Sequence, residues 1–129
     1  MKRKLRMGMV GGGKESFIGA VHRKAALMDG KIDFVAGALS SNRRKSMESA
    51  EELFLSENRS YGSWIEMLDK ESKLPQSDRI DFVSIVTPNH THYPIAKAFL
   101  ESGFNVVCDK PMTYSLLEAK DLIRIVEKS

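Results

Sequence analysis

The chain has 129 residues, 42% of them hydrophobic and 29% charged, which is ordinary for one folded domain and excludes a disordered tail, a collagen-like repeat or a membrane bundle. Twenty Lys and Arg against 17 Asp and Glu give a net charge of +3. Much of this excess lies in two basic runs, at residues 1–6 and 42–45, so the rest of the chain is close to neutral and does not indicate a nucleic-acid-binding face.

The compartment can be inferred from cysteine content and from the start of the chain. One cysteine, Cys108, allows no internal disulfide, so nothing requires an oxidising compartment. The basic start runs into glycines 11–13 instead of the apolar stretch of a signal peptide, and no apolar run approaches the roughly 20 residues of a membrane span. We therefore expect a cytoplasmic protein without a membrane partner.

Apolar runs predict four buried strands, at residues 5–10, 32–39, 80–87 and 105–108. Helical spacing predicts helices at residues 17–29, 43–56, 94–102 and 115–128, with Ser115 and Glu118 forming a capping box on the last. Residues 61–69 are predicted to form a strand end or turn followed by a helix. The alternation predicts an α/β fold, a doubly wound, mostly parallel Rossmann sheet, in one domain over residues 1–129.

The helical spacing also predicts which side chains face the sheet. In the first helix these are Ile18, Val21, Ala25 and Met28. In the second they are Met47, Ala50, Leu53 and Phe54, and in the last Leu116, Ala119, Leu122, Ile123 and Val126.

A glycine turn, Gly11-Gly12-Gly13, lies between the first strand and the first helix. In that position glycines make a tight turn and let the backbone approach a pyrophosphate, which the helix N-terminus also attracts. The third glycine of the usual pattern is replaced by Ser16, so we predict a lengthened loop in which Gly19 packs the helix on the strand. The turn predicts a dinucleotide-binding site.

A phosphate-binding P-loop is the alternative for the same segment. Residues 8–15 nearly match its pattern, but Glu15 stands where a Ser or Thr hydroxyl would bind Mg²⁺. A carboxylate there would repel phosphate, and Gly8 falls inside the predicted strand. The sequence therefore disfavours a P-loop nucleotidase.

The end of the second strand carries hydroxyls and arginines where NAD-binding domains usually carry an acid. These residues are Ser40, Ser41, Arg43 and Arg44. Such side chains suit the 2′-phosphate of NADP, which the sequence favours over NAD. The alternative is that Ser41 or Asn42 caps the next helix and the arginines are solvated.

Two motifs follow the third and fourth strands, T-P-N-x-x-H at residues 87–92 and D-K-P at residues 109–111. With the glycine turn before them, they make the chain resemble the N-terminal domain of the glucose–fructose oxidoreductase/inositol dehydrogenase/MocA family of NAD(P)-dependent oxidoreductases. The D-K-P motif is a variant of the family's E-K-P. The resemblance covers almost the whole chain, from Leu5 to Val126.

The resemblance implies roles for the residues of both motifs. Thr87, Pro88 and Asn89 would lie along the cofactor, and His92 would close over the nicotinamide ribose. Lys110 would be the catalytic residue of this domain, orienting the cofactor and polarising the C–O bond of the substrate. The remaining cofactor-binding residues would be Asp109, shorter than the family's glutamate, and Pro111, which follows a candidate cis peptide.

The other histidines and the cysteine are not expected to be catalytic or metal-binding residues. His90 is expected to be an exposed loop residue, and His22 either packs on the glycine turn or faces the cofactor. His90 and His92 lack a third ligand, so no metal site is expected. Cys108 is expected to be a small, buried strand residue.

The resemblance further implies a second, α+β domain that builds the substrate pocket and contributes a D-x-x-x-H motif. No D-x-x-x-H occurs in these residues. We therefore expect a cofactor domain that lacks the family's C-terminal domain and is catalytically incomplete by itself. The function implied is hydride transfer to or from a sugar, polyol or related alcohol, with an oligomer possible. The alternative is a stand-alone dinucleotide-binding module without catalysis.

Overall fold

A computed structural model describes residues 2–129 as a four-stranded parallel sheet with helices on both faces. The strands are β1 (Leu5–Gly11), β2 (Ile32–Ala38), β3 (Phe82–Val86) and β4 (Asn105–Cys108), in the order β2-β1-β3-β4. The helices are α1 (Phe17–Leu27), α2 (Arg43–Glu52), α3 (Trp64–Lys73), α4 (His92–Glu101) and α5 (Leu116–Lys128). Two short 3₁₀ turns cover Glu57–Arg59 and Asn89–Thr91.

The sheet is buried between two separate cores, which confirms the doubly wound arrangement. Met7 and Met9 of β1 pack with α1 and α2 on one face. Val83 and Ile85 of β3 pack with α3, α4 and α5 on the other. Within residues 2–129, no helix is long and apolar enough to cross a membrane.

Side-chain caps fix where four of the helices begin. Ser16, Asn42, Ser63 and Ser115 each accept a hydrogen bond from a backbone N–H in the first turn of the helix that follows. Ser115 and Glu118 form the predicted capping box. Asn42 therefore has the capping role that the sequence offered as an alternative to phosphate binding.

The predicted helix ends and buried faces need correction. α2 ends at Glu52, not at residue 56, because Phe54 takes a positive φ of 61° and is 95% exposed. In α1 it is Ile18 and Ala26 that pack on the core, while the predicted Val21, Ala25 and Met28 are exposed. In α5 Leu122 and Ile125 are buried, and the predicted Leu116, Ile123 and Val126 are exposed.

β3 begins two residues later than predicted, because a buried carboxylate takes the backbone N–H of Ile80. Glu71 of α3 is fully buried and accepts hydrogen bonds from Ile80 N at 3.0 Å and from the Tyr61 hydroxyl. Arg59 donates two more, both at 2.8 Å. These bonds join the segment after α2 to the start of β3. Burial, followed by the hydrogen bond to Glu71 and the charge of Glu71, raises the pKa of Tyr61.

Removing the Glu71 carboxylate is expected to destabilise the fold. Glu71→Ala leaves the Arg59 guanidinium, the Tyr61 hydroxyl and the Ile80 N–H without their shared acceptor, and breaking a buried pair typically costs roughly 3–5 kcal/mol. Urea unfolding measures the loss of unfolding free energy. Glu57→Ala is the control, since Glu57 is exposed and forms no ion pair among the described residues. Equal midpoints for the two variants would contradict the structural role of Glu71.

Candidate functional site

A cleft of about 1120 Å³ opens at the carboxyl edge of the sheet, where ligands bind in open α/β folds. It is lined by the turn after β1, the ends of β2 and β3, and the starts of α1 and α3. Of the residues predicted from the sequence, it brings together Gly11, Gly12, Gly13, Ser40, Ser41, Thr87 and Pro88. The remaining predicted residues lie outside its walls.

Backbone geometry explains the glycines of the turn. Gly11 and Gly12 both have φ of +79°, in the left-handed region that disfavours side chains. A Cβ on Gly11 would lie 2.9 Å from Thr87 Cγ2, and one on Gly13 would lie 2.9 Å from the Leu39 carbonyl oxygen. The turn therefore presents bare backbone to the cleft.

Gly19 has the predicted packing role, since a Cβ there would overlap the Gly12 Cα. Arg23, one turn further along α1, donates to the Gly12 carbonyl oxygen. Gly8 lies inside β1, where a Cβ would come 2.5 Å from Met67 Cε. A strand glycine packed in this way cannot open a phosphate-binding loop, which removes the P-loop alternative.

The arginines after β2 are both paired with carboxylates, and their predicted contact with an NADP phosphate stays a prediction. Arg43 pairs with Glu66, and Arg44 pairs with Glu48 at 3.0 Å. Neither lines the cleft, whereas Lys45 does, and Lys45 forms no ion pair among the described residues. The predicted contribution of Arg43 and Arg44 is therefore not supported by their geometry.

The loop after β3 is held by hydrogen bonds among its own residues, and one of its buried polar atoms has no partner among the described residues. The Thr91 hydroxyl lies 2.6 Å from both Thr87 Oγ1 and the Pro88 carbonyl oxygen. Asn89 Oδ1 is buried and has no hydrogen-bond partner in the part of the chain that the structure describes. An unsatisfied buried acceptor costs about 1–3 kcal/mol, which a donor on a bound molecule would recover.

His92 lies between the two motif loops, and its predicted role of closing over the cofactor stays a prediction. His92 is 1% exposed and does not line the cleft. Its Nε2 lies 2.8 Å from the Thr87 carbonyl oxygen, and its Nδ1 lies 2.8 Å from the Pro111 carbonyl oxygen. The ring thus joins the loops that carry the two motifs.

The turn after β4 carries Asp109, Lys110 and Pro111, and the Lys110–Pro111 peptide is cis, as the sequence predicted. Asp109 points to α1, where its Oδ1 lies 3.4 Å from His22 Nε2. His22 Nδ1 lies 2.9 Å from Ser84 Oγ on β3, so this histidine contacts neither the glycine turn nor the cleft. Lys110 is exposed and forms no ion pair within residues 2–129.

The remaining predictions concern Cys108, His90 and a metal site. Cys108 is half-buried, and burial together with the charge of Asp109 raises the pKa of its thiol to about 11. His90 is exposed, as predicted, and lines the cleft. Residues 2–129 contain no group of three His, Cys, Asp or Glu side chains that could hold a metal ion.

Among the cleft residues that sequence reasoning missed are Lys45, Ser63 and Trp64. Trp64 is the only tryptophan in the chain and begins α3 directly after the Ser63 cap. An aromatic residue at the start of a helix is not distinguishable from a core residue by spacing alone. The polar cap before it was the one available signal that α3 begins at the sheet edge.

The sequence model described as "Oxidoreductase family, NAD-binding Rossmann fold" (GFO_IDH_MocA) matches residues 5–129. The chain belongs to the Gfo/Idh/MocA family of oxidoreductases. Gfo/Idh/MocA relatives include the oxidoreductase YfiI of Bacillus subtilis, 36% identical over 99% of this chain and 32% of the relative. Levoglucosan dehydrogenase of Pseudarthrobacter phenanthrenivorans is 32% identical over 95% of this chain and 30% of that enzyme.

Solved Gfo/Idh/MocA structures match equally broadly. An inositol dehydrogenase homolog complexed with NAD⁺ from Azotobacter vinelandii is 38% identical, with a TM-score of 0.94 over 99% of this chain and 32% of that one. An oxidoreductase from Sinorhizobium meliloti is 48% identical, with a TM-score of 0.91 over 99% of this chain and 35% of that one. The chain thus spans about a third of the length of these relatives and is the NAD-binding domain of a Gfo/Idh/MocA oxidoreductase.

The residues present fit a nicotinamide dinucleotide. The glycine turn offers backbone without Cβ atoms beside the start of α1, as a pyrophosphate requires. Asn89 Oδ1 offers a buried acceptor that lacks a donor. The two features lie after neighbouring strands, β1 and β3.

Gly11→Ala is expected to weaken NADH binding by about tenfold or more, equivalent to 1.4 kcal/mol, because its Cβ enters the turn against Thr87. Gly30→Ala is the matched control, since Gly30 has a similar φ of +71° with nothing within 4 Å of the added Cβ. Both variants pay the same left-handed strain, about 1–2 kcal/mol of stability. Quenching of Trp64 fluorescence measures binding, and equal affinities for the two variants would contradict a pyrophosphate at the turn.

Proposed function

We propose that this chain is the cofactor half of an NAD(P)-dependent oxidoreductase that transfers hydride between the nicotinamide and a hydroxyl-bearing carbon of a sugar or polyol. The observation that carries the proposal is that the glycine turn, the Thr87–Asn89 loop and the Lys110 turn follow three parallel, neighbouring strands and so lie at one edge of the sheet. The substrate class is supported by relatives, including the Azotobacter vinelandii homolog complexed with NADH and myo-inositol.

Each residue then has a limited task. Bound NAD(P) supplies the hydride acceptor or donor, and the bare turn backbone holds its pyrophosphate. Asn89 accepts a hydrogen bond from the cofactor through the oxygen that lacks a partner. Lys110 donates from its ammonium group to the substrate oxygen, stabilising negative charge that develops there. An ammonium group has no lone pair, so Lys110 cannot itself take the hydroxyl proton.

Selection between the two cofactors is proposed to depend on Lys45 together with Ser40 and Ser41. These three line the cleft at the end of β2, where the adenosine ribose binds in dinucleotide folds. Lys45 is the cation there without a carboxylate partner among the described residues, while Arg43 and Arg44 are both paired. The preference for NADP over NAD stays a prediction, now assigned to Lys45.

Lys45→Ala should weaken NADPH binding by roughly tenfold and NADH binding much less, because a charge-assisted hydrogen bond contributes about 1.5–3 kcal/mol. Arg44→Ala is the matched control and should change neither affinity, since Arg44 is already held by Glu48. Parallel titrations with NADH, NADPH and ATP–Mg²⁺ measure the selectivity between the two dinucleotides and show which class of nucleotide the chain binds. Equal losses for the two dinucleotides would contradict the role of Lys45, and preferential binding of ATP would contradict the proposed function.

We further expect the 129 residues alone to bind NADH and to reduce no NAD(P) with sugars or polyols. In the protein joined to a substrate domain, Lys110→Ala should lower kcat by about 10²-fold or more, the typical contribution of a positioned proton-transfer or polarising group. NADH affinity should change little. Lys110→Arg, which keeps the charge, is the control. Turnover by the isolated chain would show that the proton acceptor lies within these residues, and an unchanged kcat would remove Lys110 from the chemistry.

A further inference from the structure

The His92 side chain occupies an unusual place between the two motif loops. Both of its ring nitrogens lie 2.8 Å from backbone carbonyl oxygens, one on Thr87 after β3 and one on Pro111 after β4. The ring is 1% exposed, so water does not compete for these contacts. Two carbonyl oxygens are acceptors only, so the ring donates through its N–H to one of them and holds its other nitrogen against the second.

We propose that His92 is a positioning residue that fixes the Lys110 turn relative to the Thr87–Asn89 loop, and so sets the distance between the nicotinamide and the lysine. The inference rests on the proposed function for the identity of the ligand. It extends that function by assigning His92 to the geometry between the loops, without contact to the cofactor.

The rest of the contact network supports a link made chiefly by this ring. β3 and β4 pair only as far as Ile85 and Cys108, after which Asp109 N donates to the Ile85 carbonyl oxygen at 2.9 Å. Beyond that bond, the hydrogen bonds between the two loops within the described residues are those of His92. Without them, the Lys110 turn would still be tied to β3 through the Asp109 N–H and, by way of His22, through the Asp109 carboxylate, but it would have no hydrogen bond to the Thr87–Asn89 loop within the described residues.

The charged groups on the elements around His92 have partners other than the ring. Asp109 pairs with His22, and Lys97 of α4 pairs with Asp121 of α5 at 3.1 Å. No carboxylate of the described residues lies within ion-pair distance of His92. The ring's partners are therefore the two loops themselves, which is what a spacer between them requires.

The test compares ligands that share the adenine and phosphate end but differ at the nicotinamide end. His92→Gln keeps a donor for one carbonyl, and His92→Leu keeps none. NADH affinity should fall by about tenfold in His92→Leu and by less in His92→Gln, while ADP affinity stays unchanged, because ADP reaches only the glycine turn and the end of β2. Tyr93→Phe is the control, since the Tyr93 hydroxyl donates to Asp121 and accepts from Lys97, both away from the loops.

Calorimetric titration of NADH and ADP gives the ratio of affinities, which a general loss of stability would not change. Equal weakening of both ligands, or of neither, would overturn the proposal. If His92→Leu does not fold, the intermediate variant His92→Gln decides.

A ligand-free measurement separates this inference from the proposed function. Amide hydrogen exchange at Asp109, whose N–H bonds to Ile85, and at Lys110 should speed up by about tenfold in His92→Gln, while exchange in β1 and β2 is unchanged. Unchanged exchange at these amides would overturn the link. A wild-type chain that fails to bind NADH but shows this exchange pattern would contradict the proposed function and leave the link supported.

Discussion

The carboxyl edge of the sheet, where the dinucleotide is proposed to bind, depends on a close contact between two backbone segments, at Gly12 of the turn and Gly19 of α1. A side chain on Gly19 would overlap the Gly12 Cα, so the helix could not begin where it does if Gly19 carried a Cβ. This contact brings the N-terminus of α1, with its unpaired N–H groups, over the end of β1. The longer loop before it, with Ser16 as the cap, is tolerated because the close approach falls one helical turn later, at Gly19.

Two side chains of the same helix also contact the strands and turns beyond β1. Arg23 holds the Gly12 carbonyl oxygen, and the preceding residue, His22, contacts Ser84 on β3 and Asp109 after β4. One turn of α1 is therefore bonded to the middle of β3 and to the turns that follow β1 and β4. The polar groups involved are half-buried, where hydrogen bonds and ion pairs are screened less than on an open surface. Placement of the glycine turn and of the Lys110 turn is coupled through these two side chains.

Most of the fold could be predicted from the sequence, because near-continuous apolar strands, helix caps and glycines each have a local cause. The Ser115 cap and the role of Gly19 follow from such local rules. What could not be predicted is which partner a long side chain finds across elements: Arg43 is paired with Glu66, and their distance depends on where α3 lies relative to α2. The Arg44–Glu48 pair, by contrast, joins residues four apart on α2, which helical spacing allows. The prediction of which side chains of α1 and α5 are buried was partly wrong for a related reason. Helical spacing defines an apolar stripe but not which part of it the sheet covers, and apolar side chains also occur on surfaces.

The short arm of Asp109 has a consequence for the charge at the site. The family's motif has a glutamate here, and the aspartate reaches His22 at 3.4 Å while Lys110 remains without a carboxylate partner among the described residues. Cys108 adds no negative charge, because burial and the neighbouring Asp109 keep its thiol pKa at about 11. The positive charge of Lys110 is therefore not neutralised by a local ion pair. An unpaired ammonium group stabilises developing negative charge on a substrate oxygen more strongly than a paired one, since no carboxylate competes for its protons. Holding the aspartate on α1 is thus a way of keeping the lysine available at the cofactor edge.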